Sequence, residues 1–214
     1  MKNLLLGVLV IILVGIGGFV YRNAAEHPYQ QIACPLDAEV CPDGTTLSRT
    51  GSSCTFPACP PPNVTLEPLN ISYAVPEGFV PITASDTAVA AAYELPAASS
   101  TGPADIVIRD YAIAASSTAL DTMQATAIGG ASGAPVPVTA FTSTVLGTHR
   151  YTVVSIERFE GVIDTAYYLA RANDVLRFDA IDHGVVGWTD PALDTSTLPA
   201  QAALKQMLST LEGQ

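Results

Sequence analysis

"THRYTVVSIERF" at residues 148–159, "VIDTAYYLAR" at 162–171 and "VLRFDAI" at 175–181 are three consecutive runs rich in β-branched and aromatic residues. Glu160-Gly161 separates the first two and Ala172-Asn173-Asp174 the last two. Both breaks are hairpin-length, so the stretch predicts a three-strand antiparallel meander. Alternation along the middle strand sends Tyr167 and Tyr168 to opposite faces, one packed and the other free to line a groove.

The flanks extend this sheet. "AVAAAYELP" (88–96) and "DIVIRDYAIA" (105–114) read as strands. In the second, Ile106, Ile108 and Asp110 share one face and Val107, Arg109 and Tyr111 the other. "NISYAVPEGFV" (70–80) alternates and then turns at Pro76-Glu77-Gly78. "STALDTMQATA" (117–127) offers a Ser/Thr cap and a short helix with Leu120, Met123 and Ala127 on one stripe. "GGASGAPVPV" (129–138) reads as a flexible surface loop. "LPAQAALKQMLSTLEG" (198–213) reads as a helix with proline in its first turn and glycine at its end. Leu204, Met207, Leu208 and Leu211 stand at i, i+3, i+4, i+7, one face that packs on the sheet. Strands in series with one helix inside and one at the end predict an α+β domain with an antiparallel sheet over 69–214.

This order is similar to the PsbP/Mog1-like fold over about residues 69–212. The resemblance rests on "ISYAVPEGF", "DIVIRDYAI", the meander and "ALKQMLSTL". It implies a non-enzymatic binding or assembly module.

The other end of the chain points to a compartment. Leu4–Val20 holds 17 residues with no charged and no strongly polar side chain. As a helix that run is roughly 26 Å long, near the lower limit for a bilayer core. Lys2 precedes it; Tyr21 and Arg22 follow as interfacial residues. The reading is a signal anchor over 1–22, a single pass of the cytoplasmic membrane, with lipid contacting residues 4–21 and the bulk of the chain outside the cytoplasm. A cleaved signal peptide is the competing reading, and a mature chain beginning near residue 26 distinguishes it.

A juxtamembrane stalk (23–33) leads to all four cysteines, Cys34, Cys41, Cys54 and Cys59, in a module spanning 34–60. The spacing lacks the paired short turns of a structural zinc site, and no C-x-x-C is present, so an oxidising compartment favours disulfides. Four cysteines allow three connectivities. Pro42-Asp43-Gly44 and Gly51-Ser52-Ser53 are turn signals. "VCPDGTTLSRTGSSC" (40–54) resembles the middle of a Kazal-type module and a short segment of exported bacterial proteins. The Kazal resemblance implies the pairs Cys34–Cys54 and Cys41–Cys59, and protease inhibition as an alternative function. Pro60-Pro61-Pro62 then lead into an extended spacer over 61–68.

The net charge is −11; without Lys2 and Arg22 the remainder carries 7 basic against 20 acidic residues. Such a surface repels phosphate backbones and excludes nucleic acid as a partner. Catalytic motifs are missing: Gly130-Ala131-Ser132-Gly133-Ala134 fails the nucleophile-elbow pattern at its fifth position. No cofactor is expected. Asp179, Asp182 and His183 form the one local group of potential metal ligands, but alternation puts the two carboxylates on opposite faces, so the reading is a polar strand end. His27 and His149 read as solvated, and Trp188 as a core or rim packing residue. The whole reads as a membrane-anchored extracytoplasmic binding or assembly module with an unknown envelope partner.

Overall fold

A computed structural model describes residues 2–26, 34–41, 45–59, 61–97, 102–129 and 133–213. The chain divides into two compact units, Met1–Asp37 with Ser48–Pro57, and Ala38–Leu47 with Ala58–Gln214.

The first unit contains helix α1, Lys2–Glu26. Its side chains are described at Gly7 and at 11–22, and the large apolar ones there are exposed all round, from Ile12 at 54% to Tyr21 at 77%. Among the described residues no helix is long and apolar enough to cross a membrane. Cys34 is disulfide-bonded to Cys54. Beside that bridge the Arg49 guanidinium donates to both Asp37 carboxylate oxygens at 2.8–3.0 Å and to the Cys54 carbonyl at 3.0 Å. The same guanidinium lies 4.2 Å from the centre of the Phe56 ring. A forked donor satisfied in this way substitutes for the core that so short a segment cannot build.

In the second unit Cys41 is bonded to Cys59. Of the three connectivities open to four cysteines, the two bridges together leave this one. Strands β1 (Ala38–Val40) and β2 (Thr46–Ser48) pair with each other. The Pro42-Asp43-Gly44 turn lies outside the described residues.

The spacer expected at 61–68 is shorter than its composition indicates. Strand β3 (Val64–Leu66) pairs antiparallel with β4 (Ile71–Tyr73), and a 3-10 turn at Glu67–Leu69 joins them. The Asn63 amide donates to the Tyr73 carbonyl, and the Asn63 side chain accepts from the Val75 amide at 3.0 Å. Val64 and Leu66 pack against the main core and Leu69 is part of it. Proline spacing set the expectation, but two apolar residues with a core face within reach are worth burying.

Seven further strands complete the architecture: β5 (Val80–Pro81), β6 (Val89–Leu95), β7 (Ala104–Ala112), β8 (Thr142–Leu146), β9 (His149–Phe159), β10 (Val162–Ala170) and β11 (Asp174–Asp182). They form one antiparallel sheet in the order β5-β6-β7-β11-β10-β9-β8. The predicted meander is its centre. Glu160 and Gly161 both hold positive φ, 49° and 80°, the geometry of a hairpin turn whose twist matches its strands. The chain turns at Pro76–Phe79 as expected, with Gly78 at φ 85°, yet β4 pairs with β3 and not with β5.

Helix α3 (Pro199–Ser209) covers one face of the sheet. Its Leu204, Met207 and Leu208 meet Ile106, Ile108, Tyr151, Tyr167, Leu176 and Phe178 in the larger core. The helix stops at Ser209, but Leu211 continues the apolar stripe into that core. The opposite face carries helix α2 (Ala119–Thr126). Thr118 accepts from the Asp121 amide while Asp121 accepts from the Thr118 amide, a reciprocal cap. Met123 and Ala127 bury against Val154, Ile156, Ala166, Tyr168 and Val175, whereas Leu120 is exposed and off the expected stripe. Both tyrosines of the middle strand are therefore packed, one in each core, and neither lines a groove.

Candidate functional site

Strand β11 carries two polar clusters, one on each side of the sheet. On the α2 side, Arg109 of β7 and Arg177 of β11 face each other in register. Both donate to the fully buried Asp179: Arg109 to Oδ2, and Arg177 Nε to Oδ1 at 2.6 Å. Arg177 Nη1 also donates to the Thr126 carbonyl at 2.5 Å, the C-terminal end of α2, where the helix dipole favours a cation. Its guanidinium lies 5.7 Å from the Tyr168 ring centre. The fourth member, Asp164 of β10, is 3.9 Å from Arg177, and its Oδ1 is buried without a hydrogen-bond partner among the described residues. The β9–β10 register slips between Asp164 and Thr165. Irregularities of this kind re-aim side chains.

Burial raises the pKa of both carboxylates; Arg177 and Arg109 oppose it at Asp179. Asp179 is bonded to both guanidiniums and Asp164 to neither at hydrogen-bond distance, so Asp164 keeps the proton. Desolvation and the neighbouring Asp179 charge push its pKa up to about 8. Breaking a buried ion pair by removing one partner typically costs about 3–5 kcal/mol, so this cluster is part of the structure as well as a reservoir of charge.

On the α3 side, at the end of β11, Asp182 is buried and its Oδ1 accepts from the Ala200 amide at 2.8 Å. It thereby satisfies an orphan donor at the start of α3, since the residue preceding that helix, Leu198, offers no side-chain cap. Among the described residues no donor meets Asp182 Oδ2 at hydrogen-bond distance, and the Gln201 amide and side chain lie near enough to the carboxylate to favour its charged form. Burial raises the Asp182 pKa against the pull of its bonds to the α3 amides. His183 turns away: its Nε2 lies 2.9 Å from Asp105 Oδ2. Asp182 and His183 line a cleft of about 210 Å³ with Gly184, Val185, Leu193 and Leu198.

The structure thus separates the Asp179, Asp182 and His183 group. Asp179 sits in the arginine network, Asp182 caps α3 and His183 pairs with Asp105. Among the described residues no three His, Cys, Asp or Glu side chains gather as a metal site. His149 begins β9 as expected but is buried, with Thr148 Oγ1 3.2 Å from its Nδ1 and the Tyr151 ring 6.3 Å away. Its place on the core-facing side of β9 overrides the polarity of the imidazole. His27 and Ser132 lie outside the described residues. Trp188 packs edge-on against Phe159 at 5.9 Å on the rim, and its carbonyl accepts from Arg158 Nε at 2.6 Å. Sequence reasoning missed the Arg109–Arg177–Asp179–Asp164 network. A signal existed: Arg177 and Asp179 stand two apart in a strand, as do Arg109 and Val107, so their faces were readable but their pairing across strands was not.

No protein-family model matches the chain, and no curated protein is similar to it. Among solved structures, a crystal structure from Bacteroides thetaiotaomicron VPI-5482 is 10% identical, with a TM-score of 0.40. The match covers 67% of this chain and 45% of that one, so this chain spans less than half the length of that protein. A likeness at that level carries no inference about fold or function.

Proposed function

We propose that the chain is a non-enzymatic binding or assembly module held outside the cytoplasm by its N-terminal helix. The observation that carries the reading is the surface of α1. Its described large apolar side chains between Ile11 and Tyr21 are exposed on every side. A helix apolar all round needs an apolar surrounding, and the sequence extends the run to Leu4–Val20, the length of a short bilayer span. The two disulfides support an oxidising compartment. A binding or assembly role is the one that the resemblance to PsbP/Mog1-like domains implies. The full chain should stay with membranes through alkaline extraction. After reduction its cysteines should react with an impermeant maleimide added from the extracytoplasmic side. Release into the supernatant, or a mature chain that begins near residue 26, would overturn the anchor.

A specific feature favours protease inhibition as a second reading. Pro35, Leu36 and Asp37 are exposed, with Leu36 fully so. The Cys34–Cys54 bridge holds one end of this segment and the Arg49–Asp37 ion pair the other. A clamped segment offering one apolar side chain is preorganised for a protease specificity pocket. The full chain should then slow proteases that prefer large apolar residues, and Leu36→Arg should move the preference to trypsin-like enzymes. Unchanged rates across a panel of serine proteases would end this reading.

A further inference from the structure

We propose that β8 is a dimerisation edge: the β8 strands of two copies of the chain pair antiparallel about Thr144 and continue the sheet from one copy into the other. The pairing depends neither on the tether nor on the cysteine module.

The sheet ends in β8 on one side and in β5 on the other. Native edges are blunted by short length, by proline or by charge. The β5 edge has two of these protections: it is two residues long, and one of them is Pro81, which has no amide to donate. β8 has none. Its five residues, Thr142–Leu146, include no proline and no charged side chain, and among the described residues β9 is its one partner strand. Ser143 and Val145 are exposed, Val145 at 55%.

The register of β8 on β9 sets what this edge offers. Gly147-Thr148 is a two-residue turn that sets Leu146 opposite His149. The pair flanking such a turn is hydrogen-bonded, and so is every second pair after it. Leu146, Thr144 and Thr142 therefore direct their amides and carbonyls at β9, and those of Ser143 and Val145 point outward. A two-fold axis at Thr144 sets Ser143 of each copy opposite Val145 of the other. Both pairs then exchange amide-to-carbonyl bonds, so each outward group finds a partner. Thr144 meets its own counterpart in the non-hydrogen-bonded pair between them, a favourable cross-strand combination.

Charge selects a second copy as the occupant. A net charge of −11 makes most of the surface repel another copy. Around β8 that repulsion is missing: residues 122–156 contain no Asp or Glu, although the chain has 20. Arg150, the one Lys or Arg in that stretch, stands one strand in from the edge with its Nη1 3.3 Å from Ser143 Oγ. No cation on the edge itself therefore selects an acidic peptide. In the paired register both β8 strands separate the two Arg150 positions by roughly 14 Å, beyond the Debye length at physiological salt. Because the β5 edge is blocked, copies cannot add head to tail, so the contact is self-complementary and closes at two.

Sedimentation velocity of the full chain in density-matched detergent micelles, over a range of concentrations, tests the proposal. The chain should show a reversible monomer–dimer equilibrium with no larger species. Val145→Pro removes an outward donor and leaves the β8–β9 bonds in place, and should raise the dissociation constant about tenfold or more. Unchanged near-ultraviolet dichroism shows that this variant is folded. Thr144→Lys and Thr144→Glu each set like charges opposite one another across the two-fold axis, so each alone should dimerise more weakly, and a mixture of the two should restore the dimer. This pair decides the matter if Val145→Pro does not fold. A chain that stays monomeric at every concentration, a dimer that folded Val145→Pro leaves intact, growth beyond two copies, or a mixture no tighter than either charge variant alone would overturn the edge.

Discussion

Asp164 shows how one side chain couples the fold to pH. Its pKa is 3.8 when unperturbed and about 8 in the fold. Below 3.8 the group is protonated whether the chain is folded or not, so its contribution to stability is fully present. As pH rises from there toward 8, the unfolded chain releases the proton while the fold retains it, and stability falls. The slope from this one group approaches about 1.4 kcal/mol per pH unit. Asp164→Asn mimics the neutral form and should flatten the dependence. Urea midpoints for both proteins between about pH 5 and pH 8 measure it, and parallel lines would place the proton elsewhere. A polar residue in a β-run was visible in the sequence. Its burial was not, because Asp179, Arg177 and Arg109 come from other positions and strands, and only the register brings them together.

At the scale of elements, local chemistry was the most legible. The meander, the Thr118 cap and the proline that opens α3 all follow from short-range rules. The hairpin turn between β9 and β10 offers a test of those rules. Both central residues need positive φ, which Gly161 adopts freely but Glu160, at 49°, adopts against the clash of its Cβ with the backbone. Glu160→Asn should therefore raise stability by about 1 kcal/mol in thermal or chemical unfolding, and an unchanged midpoint would show the strain to be relieved elsewhere. Elements whose boundaries depend on partners were harder to see. Strand β8 shows only as a Thr- and Val-containing run before Gly147, and it is a strand because β9 offers it an edge. A Cβ on Gly147 would meet the Ser209 carbonyl oxygen at 2.6 Å, so this tight turn depends on α3, far away in sequence. Leu120 was expected on the packed stripe of α2 but is exposed, and Ala119 instead packs against the core that Met123 and Ala127 share.

For the whole molecule, covalent and non-covalent cohesion are carried by different residues. The four cysteines bond among themselves, while the seven-stranded sheet and α3 contain none. The sheet is held by two apolar cores, in which Tyr73, Tyr151, Tyr168 and Phe178 are fully buried. Reduction should therefore lower the thermal midpoint of the sheet, followed by near-ultraviolet dichroism of those tyrosines, by less than about 4 °C. A larger fall would mean that the bridges support the sheet directly. The sequence by itself determined the class of fold, the order of its central strands, the face of α3 that packs and the net charge of −11. Each of these depends on periodicity, turn residues or net charge, which are local or additive properties. The tertiary structure alone decided that the proline-led segment folds back as β3, that His149 is buried, and that Asp179 and Asp182 serve different clusters. Those outcomes depend on which distant residues share a register or approach an end of α3, and no window of sequence contains both partners.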